Sequence, residues 1–257
     1  MKEFNPNESK DFLLSKYDNS FIEMVYRIYS INDAAHDVNH LNWVISNARS
    51  MIDHLPECKE FENEILIACL LHDVGCHINR EFHHDISAEW FISNRDYLDL
   101  PDVNDELVIY AIRNHRASFK GKRLHFVEDV VAAADKGKPS VNGYAYRSVQ
   151  YHIEMLPVPS KLIMELAVEY DLMSDKSNPL VDEIVKPVVN HLVDKFGEAG
   201  YFYNTLPDFY KELYAEELSE MKKACYHGNL AIEQTVEEYV YRLLVDPIRK
   251  ANNNSVA

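Results

Sequence analysis

The sequence predicts an all-α fold. Apolar residues recur at the three- and four-residue spacing of helices along most of the chain, and they do not alternate as they would in strands. Only 7 glycines occur among 257 residues, and 47% of the residues are hydrophobic, so a sizeable core can form. A chain of this length fits one large domain, or one domain with a substantial appendage.

Five helices are predicted after an N-terminal helical extension over residues 1–33. Pro56 and Gly75 mark the ends of the first two, and acidic residues near Asp85 favour a helix start there. The predicted helices cover residues 39–54, 60–72, 85–93, 102–115 and 127–135. Polar loops are predicted over residues 77–82 and 116–123.

A cluster of glycine, proline and polar residues over 136–143 is the best candidate for a linker. It follows a core domain, residues 34–140, and leads into a C-terminal helical region, residues 141–257. That region shows helical patterns over residues 144–155, 160–173, 180–196, 207–224 and 230–245. Its histidines lie in no ligand-like cluster. We therefore interpret it as a layer packed on the core, a lid, or an oligomerisation surface that would form a homo-oligomer.

Net charge, cysteine content and the lack of long apolar runs disfavour several classes of function. The formal net charge of -16 disfavours binding to nucleic-acid polymers, because their phosphates require Lys and Arg. The first 20 residues lack the pattern of a signal peptide, and no apolar run is long enough for a membrane span. The 4 cysteines show neither a CxxC pair nor a disulfide-framework spacing. We expect a cytoplasmic protein with no membrane partner.

Histidines and aspartates recur in chain order at predicted helices or helix ends. The clearest pair is His72-Asp73, where an apolar run stops at two metal-ligand residue types before Gly75. The whole set comprises His40, His72, Asp73, His83, His84, His115 and Asp135. Imidazole nitrogens and carboxylate oxygens together suit Zn, Mn, Fe, Ni or Co. The sequence thus predicts a site for one or two divalent transition metals.

Other histidines are interpreted differently. A second His-Asp pair occurs at His36-Asp37, and we interpret His36 as a group that supports a ligand or caps a helix. We assign purely structural roles to His54, His77 and His125.

Taken together, these segments resemble the HD-domain superfamily of metal-dependent phosphohydrolases, and the resemblance covers residues 35–137. Residues 70–75, LLHDVG, look like the HD turn that gives the family its signature. Residues 83–89, HHDISAE, look like the histidine segment of its di-metal members. The first helix, the next histidine helix and the final aspartate of the family resemble HDVNHLNWV at 36–44, IRNH at 112–115 and AAADK at 132–136.

The resemblance implies an HD-domain helical bundle with additional C-terminal helices. The ligands that it implies for one metal are His40, His72, Asp73 and Asp135. His115 with either His83 or His84 would bind a second metal, bridged by Asp73, and the family motif slightly favours His83. The catalytic residues that it implies are Asp73, His83, His84 and His115.

Two departures from the family pattern bear on the substrate. Cyclic-di-GMP phosphodiesterases of the superfamily carry a GYP signature after a double histidine, whereas Asn114-His115 is followed here by Arg-Ala-Ser-Phe-Lys. That branch is therefore disfavoured. Cys76 occupies a position that is often acidic or histidine in the mononuclear nucleotidase branch, which puts a general acid from that place in doubt.

A basic segment adjoins the predicted ligands. Residues 107–127 contain no Asp or Glu, although 42 of the 257 residues are acidic. The basic residues that we predict to bind substrate are Arg116, Lys120, Lys122, Arg123 and Lys136, with Arg80 as a weaker candidate. Guanidinium and ammonium groups beside a metal site suit an anionic, phosphorylated substrate. The alternative is a solvated loop that balances the acidic excess of the chain.

These observations predict a hydrolase that cleaves a phosphate ester or anhydride bond in a small nucleotide with metal-activated water. Two alternatives stay open. A di-iron pair on the same scaffold can activate dioxygen, which would make the protein an oxygenase. A degenerate HD module would bind a nucleotide without turnover, although such a module has no need of the full ligand set.

Overall fold

The computed structural model of the protein describes residues 6–33, 35–155, 181–226, 228–248 and 250. Every regular element within these residues is a helix, so the all-α prediction is confirmed. The chain divides into two compact units, Met1–Lys138 and Pro139–Ala257. The helix predicted over residues 160–173 lies outside the described residues. None of the described helices combines the length and the apolar composition that a membrane crossing requires.

The first unit is built around one buried helix. Its α-helices are α1 (Pro6–Leu14), α2 (Asn19–Tyr29), α3 (Val38–His54), α4 (Pro56–Glu60), α5 (Glu62–Leu71), α6 (His83–Asn94), α7 (Asp105–Asn114) and α8 (Phe126–Lys136). All side chains over residues 65–71 of α5 are 0% exposed, as expected of a helix that is apolar on every face. α3, α7 and α8 pack around it. Because α5 ends at Leu71, the residues that follow, His72 and Asp73, are also buried.

Several helix ends differ from the predicted ones because of how the backbone is capped. α7 begins three residues later than predicted, because the side chain of Asn104 accepts hydrogen bonds from the first-turn N–H groups of the helix. The helix predicted over residues 60–72 corresponds to α5, which begins two residues later, and the short helix α4 before it, with Pro56 at its first position, was not predicted. α6 begins at His83 and not at Asp85. That earlier start places His83 in the first turn.

The contact between α3 and α8 is unusually close. α8 ends at Gly137, whose φ of 69° favours glycine. A Cβ at this position would overlap the indole ring of Trp43 on α3. Asn47 of α3 donates a hydrogen bond to the carbonyl oxygen of Ala134 over 3.2 Å. These contacts hold the end of α8, which carries Asp135, beside α3.

The second unit is also helical. Its α-helices are α9 (Val141–Met155), α10 (Lys186–Phe196), α11 (Asp208–Leu213), α12 (Ala215–Ala224) and α13 (Leu230–Val240), with single π-helical turns over Val181–Val185 and Tyr241–Val245. The predicted linker is shorter than expected, since α9 already begins at Val141. The predicted helix over residues 207–224 is interrupted at Tyr214. Tyr144 stacks on Phe196 with ring centroids 4.4 Å apart, which joins α9 to α10 in the core of this unit.

Candidate metal centre

Six of the sequence-predicted ligands come together where five helices of the first unit begin or end. They are His40 in the first turn of α3, His72 and Asp73 directly after α5, His83 at the start of α6, His115 directly after α7, and Asp135 in the last turn of α8. Five of these six side chains are almost inaccessible to solvent, and Asp135 is partly accessible. The interior therefore contains a buried cluster of His and Asp that could bind a metal ion.

One group of ligand atoms surrounds the Oδ2 atom of Asp73. Nε2 of His72 lies 3.1 Å from this oxygen, and Nε2 of His40 lies 3.4 Å from it. The two Nε2 atoms are 3.4 Å apart, and Oδ1 of Asp135 is 3.2 Å from that of His40 and 3.8 Å from that of His72. Ligands bound 2.0–2.2 Å from a common ion at octahedral or tetrahedral angles lie about 2.8–3.6 Å apart. The separations among His40, His72 and Asp73 lie within this range and suit one metal ion. Asp135 lies within it from His40 but slightly beyond it from His72.

A second group surrounds the other oxygen of the same carboxylate. Nε2 of His83 lies 3.1 Å from Oδ1 of Asp73, and Nε2 of His115 lies 3.6 Å from it. The two imidazole nitrogens are 3.2 Å apart. Asp73 therefore presents one oxygen to each group, which is the arrangement of a carboxylate that bridges two ions.

Gly75 allows α6 to lie this close to Asp73. A Cβ on Gly75 would be 2.7 Å from the carbonyl oxygen of His83 and 2.8 Å from the Cβ of Ile86, both distances too short for a real side chain. The N–H of Gly75 also donates to the hydroxyl of Ser87 over 2.9 Å. Gly75 thus allows the first turn of α6, with His83, to lie against the end of α5.

Backbone carbonyls orient three of the four histidines. Nδ1 of His72 lies 2.8 Å from the carbonyl oxygen of Cys69, and the equivalent distances are 2.7 Å for His83 to Arg80 and 2.6 Å for His115 to Ile112. A carbonyl can only accept a hydrogen bond, so Nδ1 carries the proton in each ring. In its neutral form, each ring would direct the Nε2 lone pair into the cluster, as a metal-binding histidine does.

The arrangement of buried polar atoms favours positive charge at the centre of the cluster. Neither carboxylate oxygen of Asp73 has a hydrogen-bond donor in suitable geometry within the described residues, although both are buried. Buried, unpartnered carboxylate oxygens are costly, and the nitrogen lone pairs around them repel the same negative charge. Divalent metal ions would satisfy both kinds of group, so the donor set fits one or two such ions.

The directions of the pKa shifts in the cluster are consistent with an ionised Asp73 carboxylate. Burial tends to raise the pKa of Asp73, but the charges of His72 and His36 hold it well below its usual range. Burial tends to lower the pKa of His72, yet the neighbouring Asp73 and Asp135 raise it to about 9. Burial lowers the pKa of His115 to about 4. Asp73 is therefore ionised at neutral pH.

The His36-Asp37 pair has two separate roles. The Asp37 carboxylate caps α3 and accepts hydrogen bonds from the N–H groups of Asn39 and His40 over 2.8 and 3.0 Å. Nδ1 of His36 donates to Oδ1 of Asp33 over 2.7 Å. The His36 ring lies 5.9 Å from that of His40 between centroids, and ligand-type atoms of His36, Asp73 and Cys76 all lie within 4.8 Å of one another. His36 thus lies at the edge of the cluster.

His84 lies outside both groups of ligand atoms. Its Nε2 is 3.5 Å from Oδ2 of Asp85, and burial lowers the pKa of its ring. Of the two histidines that the sequence left as alternatives, His83 is the one beside Asp73 and His115.

The predicted substrate-binding residues occupy different environments. Lys120 and Lys122 are exposed in the loop between α7 and α8. Arg116 donates to the carbonyl oxygen of Glu81. Arg123 is largely buried and donates to the carbonyl oxygens of Asn114 and Arg116, over 2.9 and 3.2 Å. The ammonium of Lys136, also buried, lies 3.2 Å from the carbonyl oxygen of Ala132.

Two residues that no sequence pattern indicated, Tyr29 and Asn32, contact the His72-Asp73 pair from the N-terminal extension. The hydroxyl of Tyr29 lies 3.2 Å from Nδ1 of His72, and the amide of Asn32 donates to the carbonyl oxygen of Asp73 over 3.0 Å. An apolar helix followed by an asparagine is common in any chain, so no local pattern distinguished these residues.

Comparisons of the chain with protein-family models, with curated proteins and with solved structures gave no match.

Proposed function

We propose that the protein is a metal-dependent hydrolase that cleaves a phosphate ester or anhydride bond of a small nucleotide, in the manner of HD-domain phosphohydrolases. One observation carries the proposal: Asp73 presents one carboxylate oxygen to His40 and His72 and the other to His83 and His115. The resemblance over residues 35–137 supports the reaction class, and the basic loop supports a phosphorylated substrate.

In this proposal, two groups of side chains would each bind one metal ion. His40, His72 and Asp135 would hold one, His83 and His115 would hold the other, and Asp73 would contribute one carboxylate oxygen to each. Bound divalent ions lower the pKa of water from 15.7 to ~7 and offset the negative charge of the phosphoryl group. Nδ1 of His36 is bound by the Asp33 carboxylate, which would leave Nε2 as the ring atom that can contact water or substrate.

The substrate would be recognised by the loop over residues 116–123. Arg123 and Arg116 hold this loop through backbone carbonyls, because each guanidinium donates to at least one. Lys120 and Lys122 remain as exposed cations on a loop that directly follows His115. We assign phosphate binding to these two lysines.

We expect wild-type protein to bind two divalent ions per chain and His115→Ala to bind one, because His115 belongs only to the group around Oδ1 of Asp73. Elemental analysis after purification and after Mn²⁺ titration measures the stoichiometry. His84→Ala is the matched control, since it removes a neighbouring imidazole outside both groups, and it should retain two ions.

A screen of nucleotides for released phosphate or pyrophosphate tests the reaction. If wild-type protein never binds more than one metal ion per chain, the proposed second metal site is wrong. Dioxygen consumption by the iron-loaded protein, with no phosphate released from any nucleotide, would contradict hydrolysis and favour the oxygenase alternative.

Lys120→Ala and Lys122→Ala are expected to raise KM about 10-fold while kcat changes less than about 3-fold, since phosphate contacts made equally in ground and transition states affect KM. Steady-state kinetics on the nucleotide identified by the screen measures both constants. Lys59→Ala, which removes an exposed lysine on α4, is the control and should match wild type. Unchanged KM in both loop variants would assign the basic loop to surface solvation.

A further inference from the structure

The hydroxyl of Tyr29 contacts both residues of the His72-Asp73 pair. Tyr29 is the last residue of α2 and its side chain is fully buried. Its oxygen accepts a hydrogen bond from the backbone N–H of Asp73 over 3.2 Å and lies 3.2 Å from Nδ1 of His72. One oxygen therefore fixes the backbone of the bridging ligand and the ring of its neighbour.

The ring of His72 is consequently held on two sides. The carbonyl oxygen of Cys69 and the hydroxyl of Tyr29 both lie within hydrogen-bond distance of its Nδ1. Two partners on the same nitrogen restrict rotation of the ring and keep Nε2 directed at Oδ2 of Asp73, 3.1 Å away. Burial raises the pKa of the Tyr29 phenol far above its usual value, so the group stays a neutral hydroxyl.

Asn32 binds the carbonyl group of Asp73, the residue whose N–H is bound by Tyr29. Its side-chain amide donates to the carbonyl oxygen of Asp73 over 3.0 Å and to that of His36 over 3.1 Å. The N–H and the C=O of Asp73 are thus both bound by side chains from the segment that precedes residue 35. A bridging carboxylate must hold its two oxygens within a few tenths of an ångström, so its backbone requires such restraint.

We infer that Tyr29 and Asn32 are positioning residues that orient the His72-Asp73 pair, so that the end of α2 and the turn after it are an integral part of the metal centre. The inference rests on the metal binding proposed above. The segment that resembles the HD-domain superfamily covers residues 35–137. On this inference, the functional unit also includes Tyr29 and Asn32, which lie in the predicted N-terminal extension before that segment.

Tyr29→Phe tests this inference with little change of volume. It removes only the hydroxyl, so the Asp73 N–H loses its partner and the His72 ring loses one of its two restraints. Tyr26→Phe is the matched control: Tyr26 is also on α2, also buried, and its hydroxyl donates to the side chain of Asn42, away from the ligand pair. Asn32→Asp, which replaces the donating amide by an acceptor of the same size, is the second test variant.

The measurement is Co²⁺ binding to the full chain, followed by the visible d–d absorption of the bound ion. We expect Tyr29→Phe and Asn32→Asp to bind Co²⁺ about 10- to 100-fold more weakly than wild type. We also expect their d–d bands to shift, which a purely structural role would not cause. Tyr26→Phe should match wild type in both readouts.

Two outcomes separate the inference from the proposal on which it rests. If Tyr29→Phe and Asn32→Asp are as helical as wild type by circular dichroism and bind Co²⁺ with unchanged affinity and spectrum, the positioning role is wrong and the metal centre stands. If wild type itself binds no Co²⁺, the metal centre is wrong.

Discussion

Asp73→Asn is expected to abolish metal binding at both groups and to reduce hydrolysis at least about 10³-fold, more than the 10²–10³ that a single lost oxyanion donor costs. The carboxylate supplies one anionic oxygen to each group, whereas an amide supplies one neutral oxygen and an N–H₂ that repels a cation. Aspartate and asparagine side chains have nearly the same shape, so the substitution should leave the packing around residue 73 unchanged. Circular dichroism should therefore show a helical protein.

Metal content and thermal unfolding measure this prediction independently of any substrate. Ions that bind the folded state raise its stability, so a chelator should lower the midpoint of unfolding of wild type and leave that of Asp73→Asn unchanged. Asp85→Asn is the control, because Asp85 is an exposed carboxylate near the cluster that pairs with His84 and Arg113. Two ions retained by Asp73→Asn would show that Asp73 does not bridge them.

Gly75→Ala is expected to remove one of the two ions and most of the activity. The new Cβ would lie 2.7 Å from the carbonyl oxygen of His83 and 2.8 Å from the Cβ of Ile86, so the start of α6 must move away from Asp73. His83 moves with it and leaves the group that it forms with His115. Overpacking of this kind costs about 1–3 kcal/mol, which chemical denaturation would measure alongside the metal stoichiometry.

Gly143→Ala provides the contrast. Gly143 lies within α9, and a Cβ there meets its nearest atom at an ordinary 3.6 Å. Alanine in a helix is about 0.5–1 kcal/mol more favourable than glycine, so this variant should be more stable than wild type with both ions retained. A Gly75→Ala protein that keeps two ions and wild-type stability would contradict the assigned role of Gly75.

The all-α class and the placement of ligand residues at helix ends were predictable for reasons that are local, whereas the convergence of these residues was implied by the family resemblance. His72-Asp73 ends an apolar run, and Asp135 follows an alanine run, so both could be placed at helix ends without knowledge of the packing. The choice between His83 and His84 could not be made in this way. It depends on the direction in which the first turn of α6 faces, which the contact with Gly75 determines.

Hydrogen bonds between non-adjacent segments account for most of what the sequence did not reveal. Tyr29 contacts residues more than forty positions away. Arg123 binds the carbonyl of Arg116 in its own loop and that of Asn114 at the end of α7. The sequence alone does not distinguish an arginine that stabilises a loop through backbone carbonyls from an arginine that binds phosphate. The assignment of the C-terminal helices as a lid, a packing layer or an oligomerisation surface stays a prediction.

The hydrogen bonds from Nδ1 to a carbonyl three residues earlier have a consequence for the choice of metal. Because His72, His83 and His115 are each oriented by a carbonyl three residues earlier, their direction would not depend on the size or preferred geometry of the ion. A ligand set of imidazoles and carboxylates accepts several first-row ions, with intrinsic affinities that follow the Irving–Williams order. Cellular supply, more than the shape of the site, would then decide whether iron, manganese or another ion is bound. The same polypeptide would gain or lose its chemistry as the metal content of its surroundings changes.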